Sequence, residues 1–179
     1  NRFSSIDDAN LVARAEVLFN RHRSREVINL LEESLERLDV ATPIGCLATF
    51  LVGKSYTKLR EHSHALPFYN SITSSACEET DLRVKALYLS GQGLWNLDRD
   101  AESIVQFRRL YADFPDHSYA DDAMLYVARI ERSNDEEERY LAMLEEQIQR
   151  YPDGDMLGDA NWLLLLSTWV EVFFLILIG

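Results

Sequence analysis

A ten-residue phrase occurs twice in this chain and constrains its fold more than any other feature. Residues 114–123 read FPDHSYADDA and residues 151–160 read YPDGDMLGDA, so an aromatic residue, Pro, Asp and a final Asp-Ala recur 37 residues apart. A period of this length is typical of a repeat array. In each copy the aromatic residue closes a helix, Pro stops it and a polar turn caps the next helix. We therefore interpret the phrase as a helix-to-helix corner, with Ser118 and Asp121 as a capping box.

Composition and charge exclude several classes of protein. The chain has 179 residues, 47% of them hydrophobic, with 7 Gly and 4 Pro, which suffices for a core and argues against a turn-rich β protein. Its formal net charge of −12 argues against a nucleic-acid partner, whose phosphates need a basic face. The same charge would repel an anionic membrane surface. We therefore expect that the protein binds neither nucleic acid nor an anionic membrane surface.

Apolar residues recur at helical spacing along the chain, and no run alternates with the period of a strand. Thr42-Pro43 is the clearest helix start, an N-cap followed by Pro at the first helical position. After a frayed lead-in over residues 1–8 we predict eight helices, with Pro67 in or beside the first turn of the fourth. Their predicted ranges are 9–21, 24–38, 43–59, 63–76, 81–97, 99–114, 118–133 and 135–151.

The eight helices align as four hairpins in steps of 38, 38 and 37 residues. Gly53, Gly91 and Ala128 then share one position, where two helices cross too closely for a large side chain. Ala65 and Ser103 coincide as small residues of the second helix. This order resembles the tetratricopeptide repeat, whose nominal length is about 34 residues. The resemblance implies an all-α, right-handed α-solenoid of about four helical hairpins, with an ordinary helical bundle as the alternative. The second helices also share a large residue, which is Leu31, Tyr69, Phe107 and Leu144 in successive hairpins.

Residues 119–129 with FPDHS before them, and residues 150–156 with Ala160 and Trp162 after them, carry a narrower resemblance. Over residues 81–165 the chain is similar to the helical scaffold of bacterial soluble lytic transglycosylases. In that family an α-superhelical region precedes a lysozyme-like domain that cleaves peptidoglycan in the periplasm. The resemblance implies a periplasmic or envelope protein, and similar corners occur in periplasmic proteins that assist outer-membrane assembly or envelope constriction.

The catalytic signature of that family, Glu-Ser-x-Phe/Tyr, does not occur in this sequence. Glu-Ser stands at residues 33–34 and 102–103, and neither copy has the aromatic residue at the required position. We therefore predict no catalytic residue and a non-catalytic scaffold for protein interaction. The alternative is the superhelical arm of a lytic transglycosylase whose catalytic domain is absent from this chain.

Charged and metal-binding side chains give weaker patterns. Carboxylates such as Glu32 with Glu36 lie in charge-rich stretches, above all residues 131–139, which predicts solvated faces. His62 and His64 flank a predicted hairpin turn, but no third ligand of matching spacing is visible, so we predict no metal and no cofactor. All four histidines are expected to be exposed at turns, and they are His22, His62, His64 and His117.

Cys46 and Cys77 fall at adjacent ends of one predicted antiparallel helix pair. A disulfide between them would suit an oxidising periplasm. Two unpaired, partly buried cysteines are the simpler expectation, because a Cα separation cannot be read from sequence.

The first helices of the hairpins are expected to line the concave face of such a solenoid. Their inward positions mix aromatic, basic and amide groups, and Trp, Tyr and Arg are common anchors of recognition surfaces. A protein or peptide partner, or a peptidoglycan strand, would lie there, with Tyr88 and Trp95 as anchors; ordinary packing is the alternative for each residue. The basic-asparagine clamp of some tetratricopeptide domains is not reproduced. The predicted partner-binding groove consists of Phe19, Asn20, Lys54, Lys58, Tyr88, Gln92, Trp95, Asn96, Arg129 and Arg132.

Residues 162–179 form an apolar stretch of 18 residues with one charge, Glu171. A membrane-spanning helix needs about 20 apolar residues and is usually flanked by Lys or Arg. We predict a tetratricopeptide-like repeat domain over residues 1–161, followed by an apolar C-terminal helix that is buried or self-associating. A tail anchor and an aberrant chain end are the alternatives. Terminal repeats normally carry a polar cap, so we predict dimerisation through this helix.

Overall fold

The computed structural model describes residues 2–75, 77–134 and 136–178, and every regular element in that part of the chain is helical. The all-α prediction is therefore confirmed. Within these described residues, eight helices follow one another as four hairpins, and a ninth comes after them. The helices are α1 (Arg2–Asn20), α2 (Ser24–Leu31), α3 (Pro43–Lys58), α4 (His62–Ser74), α5 (Thr80–Trp95), α6 (Asp100–Asp113), α7 (Tyr119–Ser133), α8 (Glu137–Arg150) and α9 (Leu157–Ile178).

Two details of the helices differ from the predictions. Helix α1 begins at Arg2, so the frayed lead-in is wrong; residues 2–8 contain no Gly or Pro to stop the helix. Helix α2 ends at Leu31 and passes into a 3-10 turn over Glu32–Ser34 rather than continuing to Leu38, because carboxylates are unfavourable at a helix C-terminus. Pro67 lies in the second turn of α4, beside the first turn as predicted, and it is exposed.

The chain divides into two compact units, residues 1–106 and residues 107–179. In the first unit α1 packs on α2, α3 packs on α1, α2, α4 and α5, and α4 packs on α5. In the second unit α8 packs on both α7 and α9. Each unit buries the apolar faces of neighbouring helices against one another, which a single hairpin does not achieve alone.

The predicted repeat register is confirmed at its large and small positions. The four equivalent large residues of the second helices are all 0% exposed. A Cβ atom on Gly53 would lie 3.0 Å from Cε1 of Tyr69 and 3.1 Å from Cβ of Phe68, so α3 and α4 cross closely and a side chain there would push these neighbours aside. At the equivalent crossing in the next hairpin, Ser103 Oγ donates a hydrogen bond of 2.8 Å to the carbonyl oxygen of Gly91.

The start of α3 is fixed by its cap and by a disulfide. The Gly45 N–H donates to Thr42 Oγ1 at 3.1 Å, as the Thr42-Pro43 pair predicts. Cys46 and Cys77 form a disulfide with their Cα atoms 6.0 Å apart, so the expectation of unpaired thiols is wrong. Both residues are buried, because the end of α4 and the start of α3 meet at this edge of the hairpin. The link ties the segment after α4 to α3.

Helix α9 begins at Leu157 rather than at Trp162. Its described side chains do not bury the predicted apolar stretch, since Trp162 is 62% exposed and Trp169 is 72% exposed. The side chains of residues 170–179, Glu171 among them, lie outside the described residues. Within the part of the chain that the structure describes, no helix has the length and apolar character that a membrane crossing requires.

Candidate functional site

The first helices of successive hairpins are neighbours in residues 1–106. Helix α3 packs against α1 on one side and against α5 on the other. We call α1, α3 and α5 the first-helix layer. The repeat register predicts this arrangement, and it brings side chains from three hairpins into one row.

Three of the predicted groove residues meet at the ring of Phe19. The Lys58 Nζ lies 3.6 Å from the ring centroid and 3.5 Å from the Phe19 carbonyl oxygen. The Lys54 Nζ lies 5.6 Å from the same centroid and 5.4 Å from that of Phe50. A cation over an aromatic face is stabilised by about 0.5–1 kcal/mol at an exposed site. The two rings thus hold two ammonium groups of like charge on the first-helix layer.

The charges around Lys54 are unbalanced. Partial burial is the main cause that lowers the pKa of Lys54, and the positive charges of Lys85 and Lys58 lower it further, while Asp81 acts in the opposite direction. Asp81 Oδ2 pairs with Lys85 Nζ at 2.6 Å. Lys54 and Lys58 belong to the predicted groove, whereas Lys85, which stands on α5 about one turn from its start, was not predicted there.

The remaining predicted groove residues of α1 and α5 have mixed surroundings. Tyr88, Gln92 and Trp95 are half-buried along α5. Asn96 Nδ2 donates a hydrogen bond of 2.7 Å to the Gln92 carbonyl oxygen, so this amide satisfies the end of its own helix. Asn20 is exposed in the last turn of α1. A ligand-binding role for these five residues stays a prediction.

Arg129 and Arg132 belong to residues 107–179, where each has a partner of its own. The Arg132 guanidinium lies 5.1 Å from the Tyr140 ring centroid, and its Nη1 is 3.4 Å from the Tyr140 hydroxyl. Arg129 Nη2 lies 3.7 Å from Asp159 Oδ2, at the start of α9. Both guanidinium groups remain exposed, so their assignment to a groove also stays a prediction.

The two copies of the repeated phrase line one cavity in residues 107–179. This corner cavity has a volume of about 670 Å³ and is lined by residues 115–118, 121 and 150–155. The phrase was predicted as a helix-to-helix corner, and it is one, because α6 ends at Asp113 and α8 at Arg150. The meeting of the two corners around an open space was not predicted from sequence.

The caps of this corner differ from the prediction. Ser118 makes no capping hydrogen bond and has helical torsions of φ −56° and ψ −17°, whereas an N-cap residue is extended, so the Ser118–Asp121 capping box is wrong. His117 Nδ1 instead accepts a hydrogen bond of 3.1 Å from the Tyr119 N–H. Asp121 accepts from the Asp122 N–H at 3.0 Å and from the Met156 N–H at 3.3 Å, which ties the two corners together.

Asp121, Asp122 and Asp155 gather beside the corner cavity, with one oxygen of each within 4.8 Å of the others. Burial is the main cause that raises the pKa of Asp122 to about 6, followed by the charges of Asp121 and Asp155, while Arg129 opposes them. A hydrogen bond with Asp121 raises the pKa of Asp155. Among the described residues these carboxylates form a group whose oxygens could hold a divalent cation. A Cβ atom on Gly154 would lie 2.6 Å from Asp121 Oδ2, so a larger residue there would displace this carboxylate.

Two predictions of exposed polar groups are wrong in part. Glu131 is not on a solvated face: its side chain is 7% exposed, 3.5 Å from the Arg108 guanidinium and 3.9 Å from that of Arg139. Of the four histidines, His22 and His64 are exposed, whereas His62 is half-buried and His117 caps α7. For Glu131 the partners are arginines of the two neighbouring helices α6 and α8, which the local sequence pattern does not reveal.

Comparison with known proteins shows the fold and not a family. No family model and no curated protein sequence matches the chain. Among solved structures it is similar to the crystal structure of a Rap protein complexed with competence and sporulation factor, with a TM-score of 0.61 at 18% sequence identity. The match covers 82% of this chain and 43% of that protein, so the chain spans less than half of its length. This likeness supports a tetratricopeptide-like α-solenoid.

Proposed function

We propose that this chain is a non-catalytic scaffold that binds a protein or peptide partner on the first-helix layer. The observation that carries the proposal is the convergence of Phe19, Lys54 and Lys58 on neighbouring first helices. The fold likeness supports it, because the Rap protein of that structure is itself complexed with a factor. Exposed cations beside aromatic rings are common anchors for a partner chain.

The proposal that the chain is not an enzyme rests on its carboxylates. A glycosidase needs two carboxyl groups about 5–10 Å apart across a substrate cleft. Asp121, Asp122 and Asp155 lie closer together than that, and Asp121 is bound to two backbone N–H groups of the corner. Such a group is suited to holding a corner and not to acting on a sugar bond.

We place the protein in the bacterial envelope or periplasm as part of the same proposal. The disulfide between Cys46 and Cys77 supports an oxidising compartment, where such bonds persist. The amino-acid sequences of the two corners resemble those of lytic transglycosylase scaffolds, which favours a protein that acts at the cell wall. A peptidoglycan strand is then the alternative ligand, and the superhelical arm of a lytic transglycosylase is the alternative function.

Selection of a displayed random-peptide library against the full chain tests the scaffold proposal. We expect an enriched family of peptides whose affinity falls about tenfold or more in Phe19→Ala and in Trp95→Ala. Val105→Ala is the matched control, because this exposed apolar residue stands on α6, outside the first-helix layer, and is 59% exposed. Thermal melts establish that each variant is folded.

Either of two results would contradict the scaffold proposal. The first is the absence of any enriched peptide family. The second is a family that binds the two first-helix variants as tightly as the parent. Co-sedimentation with insoluble peptidoglycan, abolished by the same two variants, would favour the alternative ligand instead.

A further inference from the structure

The three lysines of the chain, at positions 54, 58 and 85, come together in one place. The chain has 18 Lys and Arg residues, and the other basic positions are all arginine. Lys54 and Lys58 share the Phe19 ring, and Lys85 is close enough for its charge to act on Lys54. We call Lys54, Lys58 and Lys85 the three-lysine cluster. Helices α3 and α5, which carry it, are neighbours in the first-helix layer.

The cluster is only partly compensated, although the chain has an excess of carboxylates. Asp81 pairs with Lys85, but among the described residues neither Lys54 nor Lys58 has a carboxylate partner. Their ammonium groups rest on aromatic rings, which hold cations without neutralising them. Gathering like charges raises the free energy of the unbound protein, and an anionic ligand would remove that cost.

We infer that the three-lysine cluster binds the carboxylates of an acidic segment of the partner protein. The inference rests on the proposed function, because it names the ligand chemistry of the same first-helix layer. One lysine is already paired with Asp81, so the cluster offers two positive charges to a ligand.

The dimensions of the cluster fit two carboxylates on an extended chain better than one small anion. Lys54 and Lys58 are one helical turn apart, which is about 6 Å along α3. Lys85 stands on the adjacent helix, and neighbouring helix axes are about 8–10 Å apart. Side chains two positions apart on an extended peptide are separated by about 6.5–7 Å, so Glu residues at alternate positions match this spacing.

Other polyanions fit the cluster less well. A juxtamembrane or peripheral segment that binds anionic lipid has about 4–8 basic residues, more than the cluster offers. A nucleic acid would also meet the net charge of −12 along the rest of the chain. A short acidic peptide avoids this repulsion because it covers the first-helix layer alone.

Fluorescence anisotropy with a matched peptide pair tests the inference on the full chain. One peptide has Glu at alternate positions, and the other has Gln at the same positions. We expect the Glu peptide to bind about tenfold or more tightly than the Gln peptide. We expect the affinity for the Glu peptide to be about tenfold lower in Lys54→Gln and about threefold lower in Lys85→Gln than in the parent. The affinity of the parent for this peptide should also fall as the NaCl concentration rises from about 50 to about 500 mM.

Two control variants separate charge from stability and from general electrostatics. Lys54→Arg keeps the positive charge and should retain most of the binding, whereas loss of folding would affect both substitutions. Arg14→Gln removes one exposed charge from α1 outside the cluster and should leave the affinity unchanged. Equal weakening by Arg14→Gln and Lys54→Gln would overturn the inference, since it would show attraction by net charge only.

Because the chain has three lysines, an NMR spectrum of the protein labelled with 13C-lysine reports on each of them. We expect the Glu peptide to shift the side-chain resonances of all three lysines and to raise the pKa of Lys54, because a bound carboxylate favours the charged amine. Lysine resonances that do not respond to saturating Glu peptide would overturn the inference.

The outcomes also separate this inference from the scaffold proposal. One possible result is that library peptides bind the parent and lose affinity in Trp95→Ala, but bind equally well to all three Lys→Gln variants. This result would overturn the acidic ligand and would still agree with the scaffold proposal. Anionic vesicles or a polynucleotide could also bind through the same lysines as tightly as the Glu peptide. That result would overturn the assignment to an acidic protein segment.

Discussion

Asp122 is a carboxyl group whose ionisation opposes folding. Burial, Asp121 and Asp155 raise its pKa to about 6, with Arg129 opposing. In the unfolded chain an Asp carboxyl has a pKa of about 3.9. Between these pH values the folded chain binds more protons than the unfolded chain. The stability linked to this group is therefore largest below about pH 4 and is lost as the pH rises through about 6.

We expect Asp122→Asn to stabilise the protein at neutral pH. After allowance for screening of a half-exposed group, the gain in unfolding free energy at about pH 7 is about 1 kcal/mol, or about 2–4 °C in Tm. The gain should vanish at about pH 4, where the folded parent is protonated. Thermal melts of parent and variant across this range measure it, with the exposed Glu145→Gln on α8 as control. A stability difference that is the same at both pH values would refute the assignment.

At the scale of single residues, only those members of the three-lysine cluster that share one helix could be grouped from the sequence. Lys54 and Lys58 are four residues apart, so helical periodicity alone places them on one face. Lys85 was missed because the register aligns Lys54 with Gln92, seven residues further along α5. In the structure the charge of Lys85 acts on Lys54, and α5 packs against α3. The way in which two hairpins pack depends on their side chains, and residue spacing alone does not encode it.

At the scale of elements, the disulfide gives a second measurable consequence. Cys46 and Cys77 are separated by 31 residues, and the link holds the segment after α4 against the start of α3. Closing a loop of this length stabilises a folded protein by about 2–5 kcal/mol, chiefly by restricting the unfolded chain. We expect reduction to lower the urea midpoint of the parent accordingly, measured by circular dichroism with and without reductant.

The double variant Cys46→Ala/Cys77→Ala provides the control for that measurement. It should unfold at the midpoint of the reduced parent or slightly below it, because both thiols are buried, and it should not respond to reductant. An unchanged midpoint on reduction of the parent would show that the two cysteines are not bonded in solution.

Helix existence was predictable from periodicity, whereas helix ends were not. Each predicted hairpin is present, because apolar spacing and the positions of Gly53 and Ser103 set the crossings. The Ser118 cap failed because Asp121, the residue assigned to the capping box, bonds the N–H of Met156, 35 residues away. Local motifs assume that a polar side chain serves its own helix, and in stacked hairpins the next corner competes for it.

At the scale of the whole chain, charge is divided unevenly between the two units. Residues 1–106 have 12 Lys and Arg against 15 Asp and Glu, whereas residues 107–179 have 6 against 15. An acidic ligand is therefore repelled less by the first unit, which contains the three-lysine cluster. The second unit has the larger excess of carboxylates and therefore repels an acidic partner more strongly.

The exposed apolar surface of the second unit lies on α9. Trp162, Leu165, Leu166 and Trp169 are 62%, 55%, 40% and 72% exposed, and their spacing of three, one and three residues is that of one seam of a helix pair. A contiguous apolar seam of this kind is typical of a surface that associates with another helix. A second copy of α9 would present the same seam, and it is the partner that we propose for this surface.

We expect the full chain to dimerise through this seam in the micromolar range. Sedimentation equilibrium should give about twice the 20.7 kDa monomer mass for the parent, and the monomer mass for Trp162→Gln/Trp169→Gln. Val105→Gln on α6, which removes one comparably exposed apolar side chain, should leave the dimer intact. Because apolar association does not weaken with added salt, the dimer should persist at an NaCl concentration that abolishes acidic-peptide binding. A dimer that dissociates with salt would instead implicate charged residues, and a parent at the monomer mass throughout would refute the seam.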